Sequence, residues 1–214
     1  MKLFFFVALS LACSLTSLSQ SAKEYFMPLD DKNQSLYFTP NPSSGLRTSN
    51  EQYKYFVSKL DYFIVLTVNL SDGQISSATE EKIKMTNNDI FGVSMKSGSV
   101  LTKGPSEIKY NPPRPLLKVP KTDTDYQSWS YVDGTETTKC TAVFSDLNIG
   151  GEKKKAILVL KNVYEKSKYV EWASTKEFYV AGIGLYKILT MKDEVFMMLD
   201  YQRFEPNPPI SKEN

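Results

Sequence analysis

The sequence predicts a mainly β protein: a curved antiparallel meander or half-barrel with at most one or two short helices. Three observations carry that expectation. Seven strand-like runs follow one another at short, even spacing between Ser128 and Tyr201, and residues 61–70 alternate with period two. The prolines Pro105, Pro112, Pro113, Pro115 and Pro120 exclude a helix or a central strand between Lys103 and Lys121. The composition agrees, since 214 residues with a net charge of +2, 23% charged and 41% hydrophobic side chains exclude disorder, collagen and a coiled coil.

The chain opens with Lys2, an apolar run from Leu3 to Leu11 interrupted only by Ser10, and a mixed small and apolar stretch to Ser19. That order is a secretory signal, too short to span a membrane. Ser17-Leu18-Ser19 before Gln20 supplies a cleavage site, as does Ser19-Gln20-Ser21 before Ala22, and the expectation is a signal peptide at 1–19. Ser10-Leu11-Ala12-Cys13 partly matches a bacterial lipobox, with Ser10 where an aliphatic residue is usual, so Cys13 is a candidate lipidation site. Removal of residues 1–19 leaves 195 residues and Cys140 as the only thiol. One cysteine closes no intramolecular disulfide, so the fold must rest on its core.

Residues 20–47 are polar and carry Pro28, Pro40 and Pro42 around the apolar island Leu36-Tyr37-Phe38, which reads as a tether with a possible edge strand. Thr48 and Glu51 fit a capping box, and Tyr53, Phe56 or Val57, and Leu60 keep helical spacing, so a short helix is expected there. From Asp61, Tyr62, Ile64, Leu66, Val68 and Leu70 share one face and Phe63, Val65 and Thr67 the other, a covered strand ended by Ser71-Asp72-Gly73. A single β-rich domain over 48–204 is expected, with a Pro-rich crossover at 103–121 whose Leu116, Leu117 and Val119 need burial, and a flexible tail at 205–214.

The later strands are expected at Ser128–Val132, Lys139–Phe144, Ala156–Val163, Tyr169–Ala173, Glu177–Ala181, Leu185–Met191 and Glu194–Tyr201, with turn residues between most of them. Alternation puts Cys140 on an apolar face with Ala142 and Phe144, as a buried and inert thiol. Lys153-Lys154-Lys155 beside Gly150-Gly151 reads as a solvated hairpin tip.

The order Pro115-Leu116-Leu117 to Pro120, then Trp129-Ser130-Tyr131, then Phe178-Tyr179-Val180-Ala181-Gly182-Ile183-Gly184-Leu185-Tyr186-Lys187 resembles exported β-rich proteins of unknown function from Bacteroidetes-type bacteria. Those combine a Pro-Leu-rich lead-in, a Trp strand and a closing Trp-Tyr-Ala-x-Gly-Val-Gly-Leu-Val-Lys segment. Tyr179, Gly182, Ile183, Gly184, Leu185 and Lys187 fit the closing segment, while Phe178 and Tyr186 replace its Trp and second Val. The resemblance covers roughly residues 100 to 201 and implies a half-barrel similar to lipoprotein-carrier folds.

Chemistry is bounded by the absence of histidine, which removes Ser-His and Cys-His pairs and His-ligated metals. Near-neutral charge argues against nucleic acid as a partner. Gly182-Ile183-Gly184 lacks the third glycine and following helix of a nucleotide loop and reads as a structural turn. Asp123-Thr124-Asp125 and Asp146-Leu147-Asn148 to Glu152 offer oxygen ligands without an EF-hand pattern, so neither metal nor cofactor is expected.

Asp61, Asp133, Glu136, Glu171 and Glu177 are the carboxylates a histidine-free glycan hydrolase could pair; otherwise they form the solvent face of amphipathic strands. Aromatic residues make 13% of the chain, and Trp129, Tyr131, Trp172, Phe178, Tyr179 and Tyr186 are the candidates for a ligand-binding concave face, Gly182 and Gly184 serving as its turn.

The expected protein is exported (periplasmic, on the outer surface or secreted), non-catalytic, and binds a lipid or other apolar or amphipathic ligand, or an envelope protein. The lipid anchor through Cys13, the hydrolase, and a structural or adhesive role are the alternatives. Asn33-Gln34-Ser35 and Asn69-Leu70-Ser71 are glycosylation sequons that matter only in a eukaryotic secretory pathway.

Overall fold

A computed structural model describes residues 21–28, 36–40, 50–71, 73–99 and 106–199. The signal segment, Cys13, the first sequon and the tail at 205–214 lie outside the described residues. The chain is mainly β and antiparallel, as its alternation and turns predict, with one short helix, α1 (Ala22–Phe26), and a 3-10 turn at Glu171–Ala173.

The strands are β1 (Leu36–Pro40), β2 (Asn50–Ser58), β3 (Phe63–Ser71), β4 (Gln74–Met85), β5 (Asp89–Ser99), β6 (Ser106–Lys118) and β7 (Tyr126–Asp133). They continue as β8 (Glu136–Ile149), β9 (Glu152–Glu165), β10 (Lys168–Tyr169), β11 (Thr175–Val180), β12 (Gly184–Thr190) and β13 (Val195–Leu199). Their order in the sheet is β6-β5-β4-β3-β2-β1-β13-β12-β11-β9-β8-β7, with β10 folded back on β9. Two meanders, β2–β6 and β7–β13, are thus joined through β1. The sheet curls until its two edges, β6 and β7, approach each other, but no ladder zips them and the barrel stays open.

Helix α1 sits inside the curl. Five residues do not hold a helix in water on their own, so packing must hold this one. Ala22 and Tyr25 are fully buried. The Tyr25 ring lies 6.0 Å from Phe144 of β8, and Phe26 lies 6.3 Å from both Phe56 of β2 and Tyr179 of β11. Backbone bonds pin it at both ends, Ala22 N–H to the Asn87 carbonyl (2.7 Å) and Gly182 N–H to the Glu24 carbonyl (2.7 Å). Met27, extended ahead of the buried Pro28, ends the helix.

Around α1 the inward residues of the strands form one core: Phe56, Val65, Ile83, Ile90, Leu117, Trp129, Cys140, Ala142, Ile157, Val159, Tyr179 and Leu185. The Gly182-Ile183-Gly184 turn serves that packing. Gly184 has φ +87°, and a Cβ there would lie 3.0 Å from the Phe26 carbonyl oxygen, so the turn is tight because the helix lies against it.

Several expectations are corrected. Residues 22–28 are part of the core rather than a tether, and β1 lies between β2 and β13 rather than at an edge. The helix expected after Thr48 is the strand β2, in which Tyr53 and Tyr55 stack at 6.5 Å on one face while Phe56 faces the core from the other; period two wins because tertiary packing outweighs a capping signal.

The Pro-rich segment at 106–118 is itself a strand and lies at a sheet edge, where missing N–H groups are tolerated. Of the strand expected at Tyr169–Ala173 only Tyr169 is one, as the end of β10, and Glu171–Ala173 is a 3-10 turn. Ser174 Oγ accepts the Val163 N–H at 3.0 Å and donates to the Val170 carbonyl at 2.8 Å, drawing the chain into a turn after β10. The β8–β9 hairpin tip is as expected, Lys153, Lys154 and Lys155 pairing with Asp146, Glu152 and Asp123.

Gly184→Ala is expected to destabilise the protein by about 1–3 kcal/mol, through left-handed strain and displacement of α1. Urea unfolding measures it, and an unchanged midpoint refutes the wedged-helix account.

Candidate functional site

Strand register sorts the inward positions into two zones. Near α1 they are apolar and buried. Two residues further along the same faces they become charged or polar: Lys54 follows inward of Phe56, Lys161 of Val159, Glu177 of Tyr179 and Glu81 of Ile83. Beyond this layer the inner wall of β2–β5 is half-exposed and hydroxyl- and amide-lined, with Gln52, Thr67, Asn69, Ser77, Thr79 and Ser97. Among the described residues the curl is therefore filled at the helix end and half-exposed along its polar inner wall, with a charged floor between.

One part of the floor is a buried ion pair. Lys161 Nζ lies 2.7 Å from Glu177 Oε1, and the Tyr179 hydroxyl donates to Glu177 Oε2 at 2.6 Å. Burial pulls the Lys161 ammonium down, but Glu177 outweighs it, so the amine is held above its usual range. Burial, with Glu177 adding to it, pushes the Tyr179 phenol well above its usual value. Lys54 shares this field. Burial lowers it, Lys161 adds to the lowering, and Glu177 and Glu81 offset this only in part. Cys140, 2% exposed, is pushed up to about 11 by desolvation, which makes it the inert thiol its alternation indicates.

The other part lies at the seam between β6 and β7. Arg114 bonds Glu81 Oε1 at 2.8 Å and reaches Asp133 Oδ2 on the opposite edge at 3.4 Å. Its guanidinium stands 4.4 Å from the Tyr110 ring centroid and 5.4 Å from that of Tyr131. Burial opposes its charge, yet Glu81 holds the guanidinium above its ordinary value.

Gly92, opposite Arg114 in the β5–β6 ladder, makes the Glu81 contact possible: a Cβ there would lie 2.7 Å from Glu81 Oε1. Arg114 Nε is buried and has no hydrogen-bond partner among the described residues. Tyr110, Pro112, Pro113, Arg114, Tyr131 and Asp133 line a cleft of about 460 Å³ where the edges part.

The aromatic candidates divide. Tyr179 and Trp129 point inward, Trp129 buried with its indole N–H donating to the Pro115 carbonyl at 3.1 Å; Tyr131 reaches the seam cleft. Phe178 faces outward beneath the Lys187 ammonium, with Tyr186 bridging its cluster and the core. Trp172 is 86% exposed on the 3-10 turn, apart from the others.

Of the carboxylates, Glu177 is inside the curl rather than on the solvent face, because its strand inserts it between Thr175 and Tyr179 on the inner side. Asp133 stands at the seam, Glu171 pairs with Lys192 on the rim, Asp61 is exposed, and Glu136 lies opposite Asp133 at the β7–β8 turn. The second sequon is occupied by structure, since Asn69 bonds Gln52 and Ser77, each at 2.9 Å.

Lys54, Glu81, Arg114 and Lys161 escape the sequence reading. A signal was present for Lys161, a charge on the otherwise apolar period-two face of Ile157, Val159 and Val163, whereas Lys54 and Glu81 stand on faces already polar at Gln52, Ser77 and Thr79. Arg114 hides among prolines.

No family model matches the sequence, and no curated protein or solved structure matches it either. Among the described residues no helix is long and apolar enough to cross a membrane.

Two outcomes check this geometry. Lys161→Met, which strands Glu177, is expected to lower stability by about 3–5 kcal/mol, and Lys161→Met with Glu177→Leu to recover most of it, in a double-mutant cycle by urea unfolding. Additive losses would show that the pair does not interact.

The second outcome concerns pH. A thiol that stays protonated to about 11 when folded favours the native state until the unfolded thiol ionises near 9, so its contribution is whole below 9 and fades between 9 and 11. Relative to the wild type, Cys140→Ala should gain about 2–3 kcal/mol over that interval. A constant difference excludes a buried neutral thiol.

Proposed function

We propose that the protein is an exported, non-catalytic binding protein that takes an amphipathic ligand into the half-exposed lumen of the curled sheet. The observation that carries the proposal is the charged floor. Taking ions out of water stabilises a fold poorly compared with apolar packing of the same volume. Here five of them, Lys54, Glu81, Arg114, Lys161 and Glu177, stand at the boundary between a filled core and a half-exposed lumen.

The walls above the floor differ in character. The β2–β5 side offers mainly hydroxyls and amides, and the seam side offers Ile108, Tyr110 and Tyr131. A ligand with an ionic or polar head and an apolar flank suits both. A head-group oxygen reaching the cleft would also take the unpartnered Arg114 Nε–H. Hydrolysis by paired carboxylates is disfavoured, because Glu81 and Glu177 are each engaged by a cation, at 2.8 and 2.7 Å, and so are not free to face a scissile bond from its two sides.

Native mass spectrometry after gentle extraction, with displacement of an environment-sensitive amphipathic dye, tests the reading. A bound species is expected, together with saturable displacement that weakens at least tenfold in Lys161→Met/Glu177→Leu while the variant remains folded. A protein that carries nothing and releases no dye refutes it.

A further inference from the structure

We propose that the turn carrying Trp172 is a carbohydrate-binding site, separate from the lumen and independent of what the lumen holds. Trp172 is 86% exposed although the chain has only two tryptophans, and the other, Trp129, is buried. An indole given over to water contributes nothing to the core. Nor does it hang on a loose loop. Its 3-10 turn is clamped to β9 by Ser174, which is 1% exposed and bonds both the Val163 N–H and the Val170 carbonyl, and by the Val170 N–H to Val163 carbonyl bond of 2.8 Å.

The facing wall is equally preformed. Thr175 pairs with Thr190, which brings the β12–β13 turn alongside, and that turn is closed by Thr190 N–H to the Glu194 carbonyl (2.8 Å) and Glu194 N–H to Thr190 Oγ1 (3.2 Å). Lys176 bonds Asp193 at 2.6 Å, fixing the tip of the turn.

Between the two turns lies a depression of about 360 Å³ lined by Glu171, Trp172, Thr190, Met191, Lys192 and Glu194. That is the scale of small-ligand pockets, and the chemistry is that of a polyol site. The negative face of an indole accepts the weakly positive C–H face of a sugar ring, while carboxylates accept and an ammonium donates to its hydroxyls. The Lys192–Glu171 pair, 3.3 Å apart with both side chains more than half exposed, is weak enough to re-form around a bound hydroxyl. A lipid surface fits less well. Glu171, Asp193 and Glu194 outnumber Lys176 and Lys192, whereas segments that dock on anionic bilayers are rich in basic residues.

The two tryptophans make the test direct. The full chain is titrated with soluble gluco-, manno-, xylo- and chito-oligosaccharides, and separately with phosphatidylcholine and phosphatidylglycerol vesicles, following the long-wavelength emission of Trp172. The expected result is a saturable change with at least one saccharide series, abolished in Trp172→Ala and weakened at least fivefold in Glu194→Gln. Both residues are exposed, so the folds should be kept, and circular dichroism checks this. No response to any saccharide, an undiminished response in Trp172→Ala, or a response to vesicles alone overturns the proposal.

Discussion

The wedging of α1 inside the curled sheet is the constraint on which the rest depends. A sheet of this many strands encloses more volume than its own inward side chains fill, and an empty apolar interior is unstable. The helix supplies Tyr25, Phe26 and Met27 to one end of that volume, and its backbone is tied to the β4–β5 turn and to the β11–β12 turn. The two meanders, joined in the sheet only through β1, are thereby also joined through the helix, which touches β5 and β6 on one side and β11 and β12 on the other. What looks like a minor element fixes the curvature of the sheet.

Filling one end defines the other. Where the aromatic residues of α1 stop, inward positions no longer have apolar neighbours to meet, and the strands place Lys54, Glu81, Lys161 and Glu177 there. These groups are coupled electrically: Glu177 acts on Lys161, Lys54, Tyr179 and Cys140, which belong to four different strands. A network of this kind is satisfied only when the strands keep register, because a slip of one residue would turn each charge to the outside and expose the alternate face. The polar layer thus specifies the register that the helix alone, packed by non-directional contacts, would leave less sharply set.

The sequence made the architecture legible where local and global preferences coincide. The runs around Ala156–Val163 and Leu185–Met191 carry both period-two alternation and β-branched residues, and they are strands. Legibility failed where a tertiary partner decided the matter. Ala22–Phe26 reads as polar tether because its burial depends on Phe56, Phe144 and Tyr179, far along the chain. Residues 50–58 carry a helix-like spacing that a strand pattern also satisfies, and pairing with residues 63–71 settled it.

The site divided in the same way. Aromatic content pointed to Tyr131 and Tyr179, but the charged floor is assembled from single residues on five strands, and no spacing in one segment announces it. Glu81 reaches Arg114 across Gly92, a contact that depends on the absence of a side chain.

The open seam follows from the prolines rather than from any shortage of strands. Closing a barrel requires a continuous ladder between its first and last strands, with N–H groups on both. On β6, Pro112, Pro113 and Pro115 have no N–H to offer, and register irregularities against β5 near Ile90 and Gly92 further misalign the strand. Side chains replace the missing ladder: the Trp129 indole N–H on the Pro115 carbonyl, and Arg114 on Asp133. Such links hold the edges together at two points while leaving the backbone between them unzipped. A proline-bearing edge strand, paired on one side to β5, thus leaves its other side unladdered and a lateral cleft beside the charged floor.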